Sequence, residues 1–151
     1  TLARARNLRA AAVRANEPVS VAVIEIDRLA ELVRRAGPTA GDAMVRGVSG
    51  RLEECVRTDD LLGRVGPSEF LMVLSGLRGA MTFDFMDRVH TATEQTVVLP
   101  GGAVDTPSLS IGLAVWADDE LLEECIARAD AALYQSRFRG AEAEAEALAA
   151  G

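Results

Sequence analysis

The feature that most limits the possible folds is a nearly continuous, β-branched apolar run, VSVAVIEI, at residues 19–26. Such a run predicts a strand that is buried on both faces, so layers must cover its sheet from two sides. Helical spacing of apolar residues in segments 2–15 and 27–37 supplies candidates for those layers. We therefore expect an α+β domain with a mixed central sheet surrounded by helices.

The remaining segments fit the same class of fold. A second helix is expected from about residue 42 to residue 56, followed by two apolar strands, DLLGRV and FLMVL, around the turn Gly66-Pro67-Ser68-Glu69. Two strands around a Gly-Pro turn predict a β-hairpin. The later segments predict a helix at 79–95, a loop or short ribbon at 97–107, a strand at 108–116 and a final helix from 119.

The length of 151 residues fits one domain with room for a real core. We divide it into an N-terminal helix (1–18), a central core (19–140) and an Ala/Glu-rich helical tail (141–151). Because the sequence starts on Thr1 rather than Met, we expect it to be an excerpt of a larger multidomain protein.

Charge and composition restrict the partners. The net charge of −7 argues against DNA or RNA as a partner, because nucleic acid needs a broad basic face. No apolar run approaches the roughly 20 residues that span a bilayer, so no membrane contact is expected. Cys55 and Cys125 are isolated, which is typical of reduced thiols in a cytoplasmic protein. His90 shows no carboxylate or Cys at ligand spacing, and every other basic residue is Arg.

Four local strings occur in an order and spacing that one family shares. They are IEID at 24–27, Gly37 with Gly41-Asp42, RVGPSEF at 64–70, and SLSIGLAV with ADAALYQSRFRG at 108–115 and 129–140. Together they resemble the GGDEF family, the diguanylate cyclases, over about residues 19–140. The resemblance implies a nucleotide-cyclase-like palm fold with a β-hairpin at the active site. It also implies a family chemistry in which carboxylates hold divalent cations that activate GTP.

Several positions depart from that family pattern. Ser68 stands where the family has a metal-binding catalytic carboxylate, and Pro67 replaces the second Gly of the motif, offering no N–H to a phosphate. Glu25 stands in place of the first metal-binding Asp, and Val33 replaces an Asn that contacts guanine. Catalytic residues are therefore expected to be absent, with Glu25, Gly66, Pro67, Ser68 and Glu69 as vestigial positions. No cofactor is expected, Mg²⁺ included.

Other positions match the family, and each also has an ordinary structural explanation. Asp42 and Arg137, a Lys in the family, are candidates for residual nucleotide contacts. Asp42 could equally cap a helix, Arg137 could be a solvated helix residue, and Glu69 could be an ordinary turn carboxylate.

A second set of matching positions concerns an inhibitory, product-binding site. The family's Arg-x-x-Asp string begins nine positions before the first Gly of the hairpin motif, which here is Arg57 with Asp60. Arg88 falls at the position of a second arginine of that site. Guanidinium groups pair with guanine O6 and N7 and with phosphate, so this trio suits cyclic di-GMP. The structural alternative is a cation at a helix end, a turn Asp and a solvated Arg.

We therefore expect an inactive GGDEF domain that acts as a cyclic di-GMP receptor through Arg57, Asp60 and Arg88. Ligand binding would act on other domains or on a signalling partner, and a homodimer is possible. The alternative is an interaction scaffold that binds no nucleotide, used for dimerisation or docking. A lesser alternative is a GTP-binding regulator or weak cyclase that uses Glu25, Asp42 and Glu69.

Overall fold

The computed structural model describes residues 2–150 of the chain, with side-chain surroundings through residue 137. Its helices are α1 (Leu2–Arg14), α2 (Leu29–Ala36), α3 (Pro38–Cys55), α4 (Ala80–Thr93) and α5 (Leu122–Ala150). Its strands are β1 (Val19–Ile26), β2 (Leu61–Arg64), β3 (Glu69–Ser75), β4 (Val97–Val98), β5 (Val104–Asp105) and β6 (Leu109–Val115). The predicted element order is confirmed. The tail continues α5 to Ala150, but its side chains lie outside the described residues.

The four long strands form one sheet in the order β2-β3-β1-β6, and β4 and β5 form a separate ribbon. The α+β fold is confirmed, but the expectation of a mixed sheet is corrected, because all three pairings of this sheet are antiparallel. The reason is topological. β3 lies between β1 and β2, and β1 lies between β3 and β6, so strands that run in the same direction are never neighbours.

β1 is buried on both faces, as the sequence predicts. Ala22, Ile24 and Ile26 point into a core that includes residues of α2, α3 and α4. Val21 and Val23, at the alternate positions, join a second core formed with α1 and α5. Two helical layers therefore enclose the sheet.

The predicted hairpin joins β2 and β3. The Val65 N–H donates to the Glu69 carbonyl oxygen at 3.0 Å and closes the turn. Arg64 folds back over this turn, and its guanidinium donates to the carbonyl oxygens of Gly66 at 3.1 Å and Pro67 at 2.7 Å. The hairpin turn is therefore formed with proline at position 67. Among the described residues, no helix is long and apolar enough to cross a membrane.

Candidate functional site

The hairpin turn lies beside the carboxyl end of β1. Glu25 is the register partner of Glu69, and the Ile26 N–H donates to the Ser68 carbonyl oxygen at 2.8 Å. Sheet pairing thus brings Glu25, Ser68 and Glu69 to the same end of their strands, as the family pattern implies. We call this end of the sheet the Glu25 edge. At the central position of the motif the side chain is a neutral hydroxyl, and Pro67 beside it has no N–H to donate.

Arg137 of α5 reaches this edge and pairs with its carboxylates. Its Nη2 lies 2.7 Å from Glu25 Oε2 and 3.6 Å from Asp27 Oδ1. The hydrogen bond to Glu25 raises the pKa of Arg137 above its ordinary value, and the charges of Asp27 and Glu69 act in the same direction. The guanidinium therefore serves as the counter-ion of this edge, and Arg137 is no isolated solvated residue.

Asp27 is held by two hydroxyl groups from the start of β6 and the residue before it. Ser108 Oγ donates to Asp27 Oδ2 at 3.2 Å, and Ser110 Oγ donates to Asp27 Oδ1 at 2.8 Å. Within the described part of the chain, no three His, Cys, Asp or Glu side chains are placed to hold a metal ion together. Of the positions that hold divalent cations in the family, Ser68 carries no charge and Glu25 is paired to Arg137.

Val33 and Gly41 hold α2 and α3 close together where the family contacts guanine. A Cβ atom at Gly41 would lie 2.6 Å from Val33 Cγ2, so the valine occupies the space between the helices. An apolar side chain here offers no hydrogen bond to a base. Asp42 is exposed and lies inside α3, which begins at Pro38, so the alternative that Asp42 caps this helix is wrong.

The predicted inhibitory-type site lies at the opposite end of β3. Asp60 is buried, and its carboxylate accepts from the Arg57 backbone N–H at 3.0 Å, from Arg57 Nε at 3.3 Å and from the Ser75 N–H at 3.3 Å. Arg57 Nη2 also donates to the Ser75 carbonyl oxygen. Ser75 ends β3 and Glu69 begins it, so this site and the Glu25 edge lie about 20 Å apart at the usual strand rise.

Arg88 approaches the same region from α4. Its Nη2 donates to the carbonyl oxygen of Cys55, the last residue of α3, at 3.3 Å, and its guanidinium lies 5.5 Å from the ring centroid of Phe85. Because Cys55 precedes Arg57 by two residues, both arginines stand at the carboxyl end of α3. The structure therefore joins Arg57 to Asp60 and places Arg88 against the end of the helix that leads to them.

Some polar contacts were missed by the sequence reasoning. His90 does have a carboxylate partner, since its Nδ1 lies 3.0 Å from Glu94 Oε1, so the description of His90 as lacking one was wrong. The signal was present as a spacing of four residues on a helix. The Arg137–Glu25 pair and the serine contacts to Asp27 had no comparable local signal, because they join distant segments.

Known proteins share both the sequence pattern and this architecture. The family model described as the diguanylate cyclase GGDEF domain matches residues 3–143. The diguanylate cyclase DosC of Escherichia coli is 33% identical over 128 residues, which cover 84% of this chain and 28% of that protein. The chain thus spans under a third of that relative's length.

Solved structures agree with this match. The isolated GGDEF domain of TpbB from Pseudomonas aeruginosa has a TM-score of 0.81 and 28% identity, covering 89% of this chain and 79% of that one. The diguanylate cyclase SiaD of the same organism, solved with its activator SiaC, has a TM-score of 0.84 and 25% identity, covering 92% and 54%. The chain therefore belongs to the GGDEF family of cyclic di-GMP signalling domains.

Proposed function

We propose that this domain makes no cyclic di-GMP and instead binds it as a receptor, through Arg57, Asp60 and Arg88. One observation carries the proposal. The Asp60 side chain is 3% exposed and fixes Arg57 by two hydrogen bonds, whereas the Arg57 side chain remains 61% exposed. A buried carboxylate thus presents a pre-positioned guanidinium to solvent, which is what recognition of a phosphate or guanine requires.

The loss of catalysis is inferred from the other edge of the sheet. Phosphoryl transfer by two bound cations needs several carboxylates free to ligate them. Here Ser68 supplies none, and Glu25 forms an ion pair with Arg137 at 2.7 Å. Val33 removes the base contact as well, so three separate requirements fail.

The chemistry of the second site suits the proposed ligand. Cyclic di-GMP carries two phosphates and two guanines, and arginine pairs with both kinds of group in a forked geometry. Arg57 and Arg88 stand at the carboxyl end of α3. Both carry positive charge in a chain whose overall charge is −7, so an anionic ligand would find its counter-charge in these two guanidinium groups.

A scaffold that binds no nucleotide is the second candidate, and one observation favours it. Both oxygens of the Asp60 carboxylate already accept hydrogen bonds from Arg57 or Ser75. On that reading Asp60 and Arg57 simply join β2, β3 and the end of α3. A GTP-binding regulator that uses Glu25, Asp42 and Glu69 would instead require Mg²⁺-dependent binding of GTP.

Partners and location follow from the receptor role. The ligand would act on other domains of the same protein or on a partner protein, as SiaD was solved with an activator. A homodimer is compatible with this role. We place the domain in the cytoplasm, where its two free, buried thiols would stay reduced. Burial raises the pKa of both thiols, that of Cys125 to about 11, and keeps them protonated.

Calorimetric titration with cyclic di-GMP tests the proposal. We expect saturable binding that Arg57→Ala weakens by about 10–100-fold, because hydrogen bonds to charged groups contribute about 1.5–3 kcal/mol. Arg46→Ala is the matched control, since Arg46 is exposed on the same α3 helix and the charge change is identical. Arg88→Ala should weaken binding as well.

Either of two results would reject the receptor role. Absence of heat with cyclic di-GMP at high micromolar concentration would leave the scaffold. Equal weakening by Arg57→Ala and Arg46→Ala would show that only net charge matters. A parallel titration with GTP and Mg²⁺ should give no binding heat, and saturable binding there would favour the GTP-binding regulator.

A further inference from the structure

Helix α1 is seated on the core by small side chains. Its two buried residues are Ala5 and Ala12, whereas Leu8 is only partly buried. Two grooves lie beside it, one of about 600 Å³ towards Thr58 and one of about 490 Å³ towards Leu122, and Arg4 and Leu61 line both. Little apolar surface therefore holds α1 in place, since burial of apolar area is what fixes a helix to a core.

One arginine makes the main polar attachment of α1. The guanidinium of Arg9 stacks over Trp116 with 4.3 Å from Cζ to the ring centroid. It donates to the carbonyl oxygens of Asp118 at 2.6 Å, Glu120 at 3.2 Å and also Ala117. One side chain thus satisfies three carbonyls and covers an aromatic face. We name Arg9 together with residues 116–120 the Arg9 clasp.

The loop side of the clasp is held by the core without Arg9. Trp116 Nε1 donates to the Glu120 carbonyl oxygen at 2.8 Å, and the Ala117 N–H donates to Glu120 Oε1 at 3.1 Å. The Glu120 carboxylate in turn accepts two hydrogen bonds from Arg128, each at 2.6 Å. These bonds to Arg128 are the largest cause that lowers the pKa of Glu120 to about 2. The Trp116 ring and the carbonyl groups that Arg9 contacts are therefore held in place by contacts that do not involve Arg9.

The segment after α1, residues 16–18, is attached to the rest of the domain by its own hydrogen bonds. Asn16 has a positive φ of 54°, and Pro18 stands two residues further along the chain. Arg78 Nη2 donates to the Asn16 carbonyl oxygen at 2.7 Å, and the Gly76 N–H donates to the Pro18 carbonyl oxygen at 2.9 Å. Asn16 and Pro18 are therefore attached to residues 76–78 by hydrogen bonds that do not involve Arg9.

We propose that α1 is a detachable strap that the Arg9 clasp holds closed and that turns about residues 16–18 when the clasp opens. Release uncovers the side of the sheet beneath α1, where Leu61, Leu71 and Val73 line the adjoining groove. The strap is a conformational device whose anchored end adjoins the ligand site, since Glu17 and Arg57 Nη2 both lie beside Gly76. It gives the domain two states that differ in a single helix and leave the sheet intact.

Hydrogen–deuterium exchange of Arg9→Ala tests the strap, with Arg6→Ala as control. Arg6 is exposed on the same helix, and its side chain makes no hydrogen bond to the described residues. We expect the amides of α1 to exchange about tenfold faster or more in Arg9→Ala, given a cation–π contact and several hydrogen bonds lost. Amides of β1 and β3 should keep their protection in both variants.

A second readout uses Trp116, the single tryptophan of the chain. Opening of the clasp bares its ring, so acrylamide should quench Trp116 more strongly in Arg9→Ala than in Arg6→Ala or the unaltered protein. Equal α1 exchange in the two variants would overturn the proposal. So would faster exchange of β1 and β3 in Arg9→Ala, because Arg9 would then support the whole fold.

Discussion

At the scale of single residues, Asp60 has a structural role that is separate from the recognition we propose for Arg57. A carboxylate that is almost fully buried must be hydrogen-bonded, and Asp60 meets this need with N–H groups of Arg57 and Ser75. The same contacts fix the arginine whose side chain remains in solvent. The structural role of Asp60 can therefore be measured separately from any ligand.

Replacing Asp60 by Asn should destabilise the fold. The amide NH₂ cannot accept a hydrogen bond, so one or more N–H donors lose their partner, at a cost of about 1–3 kcal/mol. Chemical denaturation measures the change, and Asp59→Asn, at an exposed neighbouring position, is the control. Equal stability of the two variants would contradict the anchoring role that the geometry gives to Asp60.

The resemblance to the family motif predicted this pair, whereas nothing in the sequence indicated the ion pair between Glu25 and Arg137. Arg57 and Asp60 lie three positions apart, so a short motif places them together. Glu25 and Arg137 lie 112 positions apart, and only the packing of α5 against the sheet joins them. Substitutions at Pro67 and Ser68 could be recognised from the sequence, whereas the counter-ion that accompanies them could not.

At the scale of secondary-structure elements, Gly112 sets how closely α5 packs on β6. A Cβ atom at this position would overlap the Ala129 carbonyl oxygen and the Leu133 backbone nitrogen. Both belong to the α5 backbone, which cannot shift in the way that the end of a flexible side chain can. Because Gly112 has no side chain, the backbone of α5, the helix that carries Arg137, can lie directly against β6.

Gly112→Ala should destabilise the domain by about 3 kcal/mol or more, because overpacking against backbone cannot be relieved locally. Gly50→Ala is the control, since Gly50 lies within α3 and has open space around its Cβ position. That change should stabilise the protein by about 0.5–1 kcal/mol, because alanine favours helix. Thermal unfolding measures both, and a tolerated Gly112→Ala would contradict the close packing.

The order of the elements could be predicted because their apolar periods are strong. The VSVAVIEI run and the apolar strands around Gly66-Pro67 allow few alternatives. Two details could not be predicted from the sequence. α3 begins at Pro38 rather than near Asp42, because proline suits the first turn of a helix. Strand directions in the sheet depend on which strands become neighbours, and periodicity carries no information about that.

At the scale of the whole molecule, two candidate sites lie at opposite ends of β3. At its Glu69 end Arg137 pairs with Glu25, and at its Ser75 end the Arg57 side chain is exposed. At a strand rise of about 3.3 Å per residue the two ends are too far apart for one nucleotide contact to involve both. The site that a ligand uses can therefore be identified from where it perturbs the protein.

The most direct test is a map of backbone amide chemical shifts during titration with cyclic di-GMP. The receptor account predicts saturable changes at residues 55–60, 75–76 and 88, with little change at Glu25, Asp42 and Ser68. Saturable changes centred on Glu25, Asp42 and Ser68, or none at any residue, would contradict it.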